Sequence, residues 1–178
     1  MDEDDALMER AKGGDTRAFD AIVRSHQHRL QRFAVRMAGG DAARGADVAV
    51  GAFLRLWEAR SSYRPEGKLG ALLLRTAYRL LIDDFRQNRP ASSLEESSSI
   101  FVGDPLRVEQ TALAQAVRDA VSELPETQRA VLVLSVYEGL SYDAISEVLA
   151  IPAGTVASRK NQALKTLRRR LDAWGELP

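Results

Sequence analysis

Between residues 154 and 171 the chain carries six basic side chains, Arg159, Lys160, Lys165, Arg168, Arg169 and Arg170, and no acid. The short polar residues Thr155, Ser158, Asn161 and Gln162 are interleaved with them. That mixture suits non-covalent capture of a polyanion whose edges carry hydrogen-bonding groups. On a helix, Ser158, Asn161, Gln162 and Lys165 share the outward face, while Val156, Ala163, Leu167 and Leu171 form an inward stripe. An Asn or Gln amide pairs with adenine through two hydrogen bonds, and a good pair of this kind discriminates by about 1–3 kcal/mol. Arg159, Arg168 and Arg169 are placed to neutralise phosphates, which strengthens binding without reading sequence.

Bond-making chemistry finds no support. The chain has no cysteine, which removes disulfides, thiolate zinc sites, iron–sulfur ligation and thiol nucleophiles together. His26 and His28 are two apart, so on a helix they point to different faces and do not share a metal. Asp83 and Asp84 diverge for the same reason, and Arg79 and Arg86 are the expected ion-pair partners of Asp83. Gly13-Gly14 has no preceding strand and is not a phosphate loop. Trp57 and Trp174 read as packing residues. The sequence therefore predicts no enzyme, no metal, no cofactor and no small-molecule substrate.

The basic stretch needs a platform, and the preceding residues supply one. Ser141 can cap a short helix, 142–149, with Asp143 near its positive end. Ile151-Pro152-Ala153-Gly154 interrupts the pattern and the basic helix follows, with Thr155 near its start. Two short helices joined by a tight turn, the second basic, are the sequence form of a DNA-binding helix-turn-helix, a unit that also serves protein interaction or structure alone. Upstream, Leu113, Val117, Ala120, Val121 and Leu124 mark a helix that breaks at Pro125. The segment ETQRAVLVLSVYEGL then resumes the helical pattern.

The N-terminal half is also helical in period. A helix over about 3–12 stops at Gly13-Gly14, and Asp15 caps the next, whose inner stripe is Phe19, Ile22, Val23, His26, Leu30, Phe33 and Met37. A third helix holds Val48, Ala52, Leu54, Leu56 and Trp57. A fourth, about 68–87, is apolar on most sides and belongs in the middle of a bundle. Residues 90–104, PASSLEESSSIFVGD, have no helical stripe and read as a flexible linker. The fold class is all-α: two small helical domains, 1–89 and 105–178, with the helix-turn-helix in the second. Basic and acidic residues balance at 25 each, but four acids stand in the first five positions and the bases cluster near the other end. No apolar run reaches the roughly 20 residues of a membrane span, and the acidic start is unlike a leader, so a cytoplasmic protein is expected.

These residues carry a resemblance. GLSYDAISEVLAIPAGTVASRKNQALKTLRRRL with the upstream LPETQRAVLVLSVYEGLS is similar to region 4 of the extracytoplasmic-function sigma factors of bacterial RNA polymerase. GGDTRAFDAIVRSHQHRLQRFAVRM, FLRLW and LLLRTAYRLLIDDFRQNR resemble successive parts of sigma region 2. The resemblance implies a factor that binds core polymerase and directs promoter-specific initiation. Region 2 would hold the β′ clamp helices through Asp47, Val50, Phe53, Leu54 and Trp57. It would read the melted −10 strand with Ser62, Tyr63, Arg64, Lys68, Arg75, Arg79 and Arg86, the ring of Tyr63 offering a stacking surface.

Region 4 would put Thr155, Ser158, Arg159, Asn161, Gln162, Lys165 and Arg168 on the −35 element, with Arg129 on a phosphate. The helix containing Val131, Leu134 and Tyr137 would help seat the β flap. An anti-sigma factor is the further partner the family implies. Five positions depart from the family pattern: Val50 and Gly51 replace Gln and Glu, Leu72 replaces a tryptophan, Arg79 stands where an asparagine often sits, and Lys160 occupies a normally apolar site. Two other readings of the residues stand beside this one: a free-standing helix-turn-helix regulator, and a diverged sigma-like adaptor with weakened polymerase binding.

Overall fold

The computed structural model describes residues 2–87 and 112–172, all in helices and the turns between them. The linker expected over 90–104 and Trp174 lie outside the described residues. By proximity the chain divides into two compact units, residues 1–34 with 43–94 and residues 35–42 with 95–178. The sequence boundary near residue 89 differs from this division at 35–42.

In the first unit, α1 (Glu3–Lys12) buries Asp5, Met8 and Ala11. It stops where Gly14 adopts φ 89°, a left-handed conformation open to a residue without Cβ. Asp15 then begins α2 (Thr16–Met37), its Oδ1 accepting the Ala18 N–H at 3.1 Å, which satisfies one of the free donors of the first turn. Ile22, Leu30 and Phe33 are buried along α2 as its periodicity requires. In α3 (Ala42–Glu58) the buried set is Gly45, Val48, Ala49, Ala52, Phe53 and Leu56. Gly51 of α3 stands against α4: a Cβ there would lie 3.3 Å from Leu80 Cδ1. A short 3-10 turn, Arg60–Ser62, follows.

Helix α4 (Leu69–Gln87) buries Leu69, Leu73, Leu74, Ala77 and Leu81 on a single face. Leu72 is exposed instead, so α4 is amphipathic rather than central, against expectation. The acidic brace on α4 also differs from the expected one: Asp84, not Asp83, pairs with Arg44 of α3 at 2.5 Å. The Arg44 guanidinium lies 4.4 Å from the Phe85 ring centroid, so one side chain ties α3 to α4 by charge and by cation–π contact.

In the second unit, α5 (Ala112–Ser122) buries Ala116, Ala120 and Val121, with Leu124 beyond it. Leu113, expected on that stripe, is 61% exposed. Pro125 starts α6 (Glu126–Leu132), its carbonyl accepting the Gln128 and Arg129 N–H groups. The helix continues into a π turn, Val133–Tyr137. Ala130, Val131, Leu132, Val133 and Leu134 are buried in succession. A helical segment apolar all round sits at the middle of its bundle, and here that segment is 130–134, from the end of α6 into the π turn. Helices α7 (Tyr142–Leu149) and α8 (Ala153–Asp172) complete the unit. Helix α8 packs on α5, α6 and α7, and Val117 and Leu167 flank a cluster of Val121, Leu124, Leu132 and Ala163.

Candidate nucleic-acid interface

The turn between α7 and α8 is fixed by local bonds. The Ser141 side chain accepts the Ala144 N–H at 3.2 Å and caps α7. Ala150 closes α7 in a left-handed conformation, φ 54° and ψ 47°, which turns the chain sharply. The Ser146 hydroxyl donates to the Ile151 carbonyl at 2.5 Å. Thr155 and Val156 N–H groups donate to the Pro152 carbonyl, so α8 starts at Ala153, two residues before Thr155. Val156 and Ala163 are fully buried, which sets the rotation of the helix.

That rotation exposes Ser158, Asn161, Gln162, Lys165, Arg168 and Arg169 and leaves Thr155 and Arg159 half-buried at its edge. The expected polar face therefore emerges as one stripe. Lys160, at the position where apolar packing is usual, is half-buried, with its ammonium 5.3 Å from the Tyr142 ring centroid. The aromatic face of α7 thus accommodates the charge through its negative quadrupole. Arg170 is ion-paired with Glu123 and belongs to the framework of the unit. Leu164 adds an exposed apolar group to the outer surface of α8.

Arg129, expected to meet a phosphate, points elsewhere. Its Nη2 donates to the carbonyls of Ser122, the last residue of α5, and of Leu124 just beyond it, the latter at 3.1 Å. Burial lowers its pKa from the ordinary arginine value, with Glu126 opposing that shift. The side chain is a brace inside the unit. Val131 and Leu134 are likewise core residues, whereas Val136 and Tyr137 are exposed.

In the first unit, Ser62, Arg64, Lys68, Arg79 and Arg86 are exposed and Arg75 is half-buried. Residues 68, 75, 79 and 86 fall on one side of α4 and of the turn leading into it, making a basic track. The Nε of Arg75 is buried with no hydrogen-bond partner among the described residues. Tyr63 does not offer a stacking ring. It is 9% exposed, and its hydroxyl donates to Asp5 Oδ1 at 2.6 Å. Burial pushes the phenol pKa well above its usual value, and the Asp5 hydrogen bond adds to the shift, so the group stays a protonated donor.

On α3, Asp47, Val50 and Leu54 form an exposed stripe, the two apolar members 59% and 57% exposed. Phe53 points into the core instead. Trp57 is packed between the Phe19 ring, 4.9 Å away edge-on, and the Arg60 guanidinium, 4.0 Å from its centroid.

Sequence reasoning missed Asp5 and Tyr142. Asp5 stood in an acidic run with nothing to set it apart, and Tyr142 matters only through a partner 18 residues on. Among the described residues no three His, Asp or Glu side chains are grouped to hold a metal ion. No helix among them is long and apolar enough to cross a membrane.

Known families match the chain in two successive stretches. The family model for sigma-70 region 2 matches residues 22–90, and that for sigma-70 region 4 matches residues 114–167. The RNA polymerase sigma-H factor of Pseudomonas aeruginosa is 32% identical, the match covering 96% of this chain and 95% of that one. The ECF RNA polymerase sigma-E factor of Escherichia coli K12 is 30% identical over 88% of this chain and 87% of its own. Among solved structures, CnrH in complex with the cytosolic domain of CnrY is similar with a TM-score of 0.73 at 25% identity, covering 97% of this chain and 99% of that one. The sigma factor RpoE of Bartonella quintana, solved with the anti-sigma factor NepR, shares the fold with a TM-score of 0.67 at 20% identity, covering 86% and 96%.

Proposed function

The chain belongs to the extracytoplasmic-function sigma factors of the sigma-70 family, and from that premise we propose which of its residues do the work at a promoter. As a transcription initiation factor of this family it binds RNA polymerase core and directs promoter-specific initiation. The observation that carries the assignment is the outer face of α8, without an acid from residue 154 to 171 and held by buried Val156 and Ala163. Ser158, Asn161 and Gln162 read base edges of the −35 element, with a bias toward adenine from the two amides. Lys165, Arg168 and Arg169 neutralise phosphates, with Arg159 and Thr155 at the margin.

Arg64, Lys68, Arg75, Arg79 and Arg86 form the track along which the melted −10 strand lies, with Ser62 at its head. A single strand held this way needs positive charge along its backbone and pockets for its bases. Arg79, replacing the family's frequent asparagine, shifts −10 preference. Core polymerase is gripped by Asp47, Val50 and Leu54, where apolar contact takes over from the polar contacts of the usual Gln and Glu. Gly51 stands beside Leu80 and serves helix packing rather than that surface. Val136 and Tyr137 are the exposed groups that meet the β flap.

The protein works in the cytoplasm, catalyses no reaction itself and uses no cofactor. An anti-sigma factor covers its polymerase-binding surfaces; support comes from family membership and from the partners present with CnrH and RpoE. Co-purification with core polymerase tests the grip. Wild-type chain should co-elute with core, and the double variant Val50→Asp, Leu54→Asp should not. Tight dimeric binding of −35 duplex by the chain alone, with no affinity for core, would instead establish a free-standing regulator.

A further inference from the structure

Asp5 is the only charged residue among those fully buried in the described structure, at 4% exposure. Buried carboxylates are costly unless hydrogen-bonded, and both oxygens of this one are engaged. Oδ1 accepts the Tyr63 hydroxyl at 2.6 Å and Oδ2 accepts the Gly67 backbone N–H at 2.9 Å. The two donors are the ends of a five-residue loop whose middle, Arg64, Pro65 and Glu66, is exposed. Gly67 adopts φ 64°, so the loop reverses at the point where the carboxylate holds it. Helix α1 adds a second contact, Lys12 Nζ lying 5.9 Å from the Tyr63 ring centroid. Helix α1 is itself pinned to α2 by Asp4, whose Oδ2 is 2.9 Å from His26 Nε2.

We propose that Asp5 is a positioning residue for promoter reading: its carboxylate fixes both ends of loop 63–67, so that Arg64 and Lys68 meet single-stranded DNA in one arrangement. Asp5 touches no nucleic acid; it acts through Tyr63 and Gly67. The inference rests on the assignment of Arg64 and Lys68 to the −10 strand. A loop held at both ends loses less freedom on binding than a loose one, and that preorganisation appears as affinity.

The test uses holoenzyme assembled from core polymerase and the full chain, with a fork-junction DNA whose −10 non-template strand is single-stranded. Asp5→Asn retains shape but has one acceptor oxygen for two donors. Tyr63→Phe retains the packed ring and removes one bond, and so serves if Asp5→Asn folds poorly. Each variant should weaken fork binding by about tenfold, as expected for loss of a hydrogen bond to a charged group, while affinity for core stays at the wild-type value. In the Arg64→Ala, Lys68→Ala background the further loss from Tyr63→Phe should vanish, because the groups being positioned are gone. An unchanged loss in that background would overturn the proposal in favour of a purely structural role. Wild-type fork binding by Asp5→Asn and Tyr63→Phe would overturn it directly. If Arg64→Ala, Lys68→Ala has no effect by itself, the −10 assignment fails first, and the proposal falls with it.

Discussion

Arg129→Ala separates two roles for one side chain. In the structure Arg129 Nη2 donates to the Ser122 and Leu124 carbonyls, which lie where α5 ends and its last acceptors lack intrahelical partners. A hydrogen bond to a charged group contributes about 1.5–3 kcal/mol, and an acceptor left buried and unmatched costs about 1–3 kcal/mol. Water entering the vacated space recovers part of this, so the net loss is set at about 2–4 kcal/mol. For a unit of this size each kcal/mol lowers Tm by about 4–8 °C. Circular dichroism of the full chain should show the second unit melting at least about 8 °C earlier. Arg129→Lys, with a single point of attachment, should fall between. A variant that melts with wild type but binds −35 DNA with a weaker salt dependence would refute this account and restore the phosphate role.

Other outcomes follow from the same geometry. Arg168→Ala in holoenzyme should reduce the slope of log affinity against log salt by about 0.9, whereas Gln162→Ala should leave the slope alone and cost about 1–3 kcal/mol on its preferred −35 sequence; filter binding at a series of salt concentrations measures both. Ala150→Gly should stabilise the chain by about 1 kcal/mol, because a left-handed residue with a Cβ costs about 1–2 kcal/mol, and a lower Tm would contradict the turn geometry. Asp15 has its pKa lowered from 3.8, first by its hydrogen bond with Arg10 and then by that with the Ala18 N–H. Its contribution is therefore present above the unfolded value and lost as pH falls through the lower folded value. The difference in Tm between wild type and Asp15→Ala should accordingly shrink in that acid range, as thermal melts across it will show.

Features encoded within one helical turn were legible in the sequence. Asp15 and Ser141 cap the helices they were expected to cap, and the inward stripe of α8 left its polar residues on one outward face, because short-range periodicity determines both. Features that depend on a distant partner were not legible. Asp5 and Tyr63 are 58 positions apart, and no local rule distinguishes a buried acid in α1 from its solvated neighbours. Composition misplaced the centre of the first bundle: α4 is richly apolar but presents one face inward, while in the second unit the short run 130–134 is wholly buried. Leu113 illustrates the limit of stripe reading near a helix end, where one residue's rotation decides between core and surface, while Phe53, placed on the polymerase-binding surface by resemblance, is buried. Lys160 broke the apolar pattern of α8, and its explanation lay in Tyr142 on the preceding helix.

The central claim is that one chain brings core polymerase to a promoter by reading two elements. Run-off transcription with purified core polymerase, on a promoter identified by mapping start sites after overexpression, tests it most directly. The account predicts a transcript from a single start that requires the chain, disappears when either the −10 or the −35 element is scrambled, and fails with Ser158→Ala, Asn161→Ala, Gln162→Ala combined. Full transcription by that triple variant, or a transcript indifferent to the −35 sequence, would contradict it.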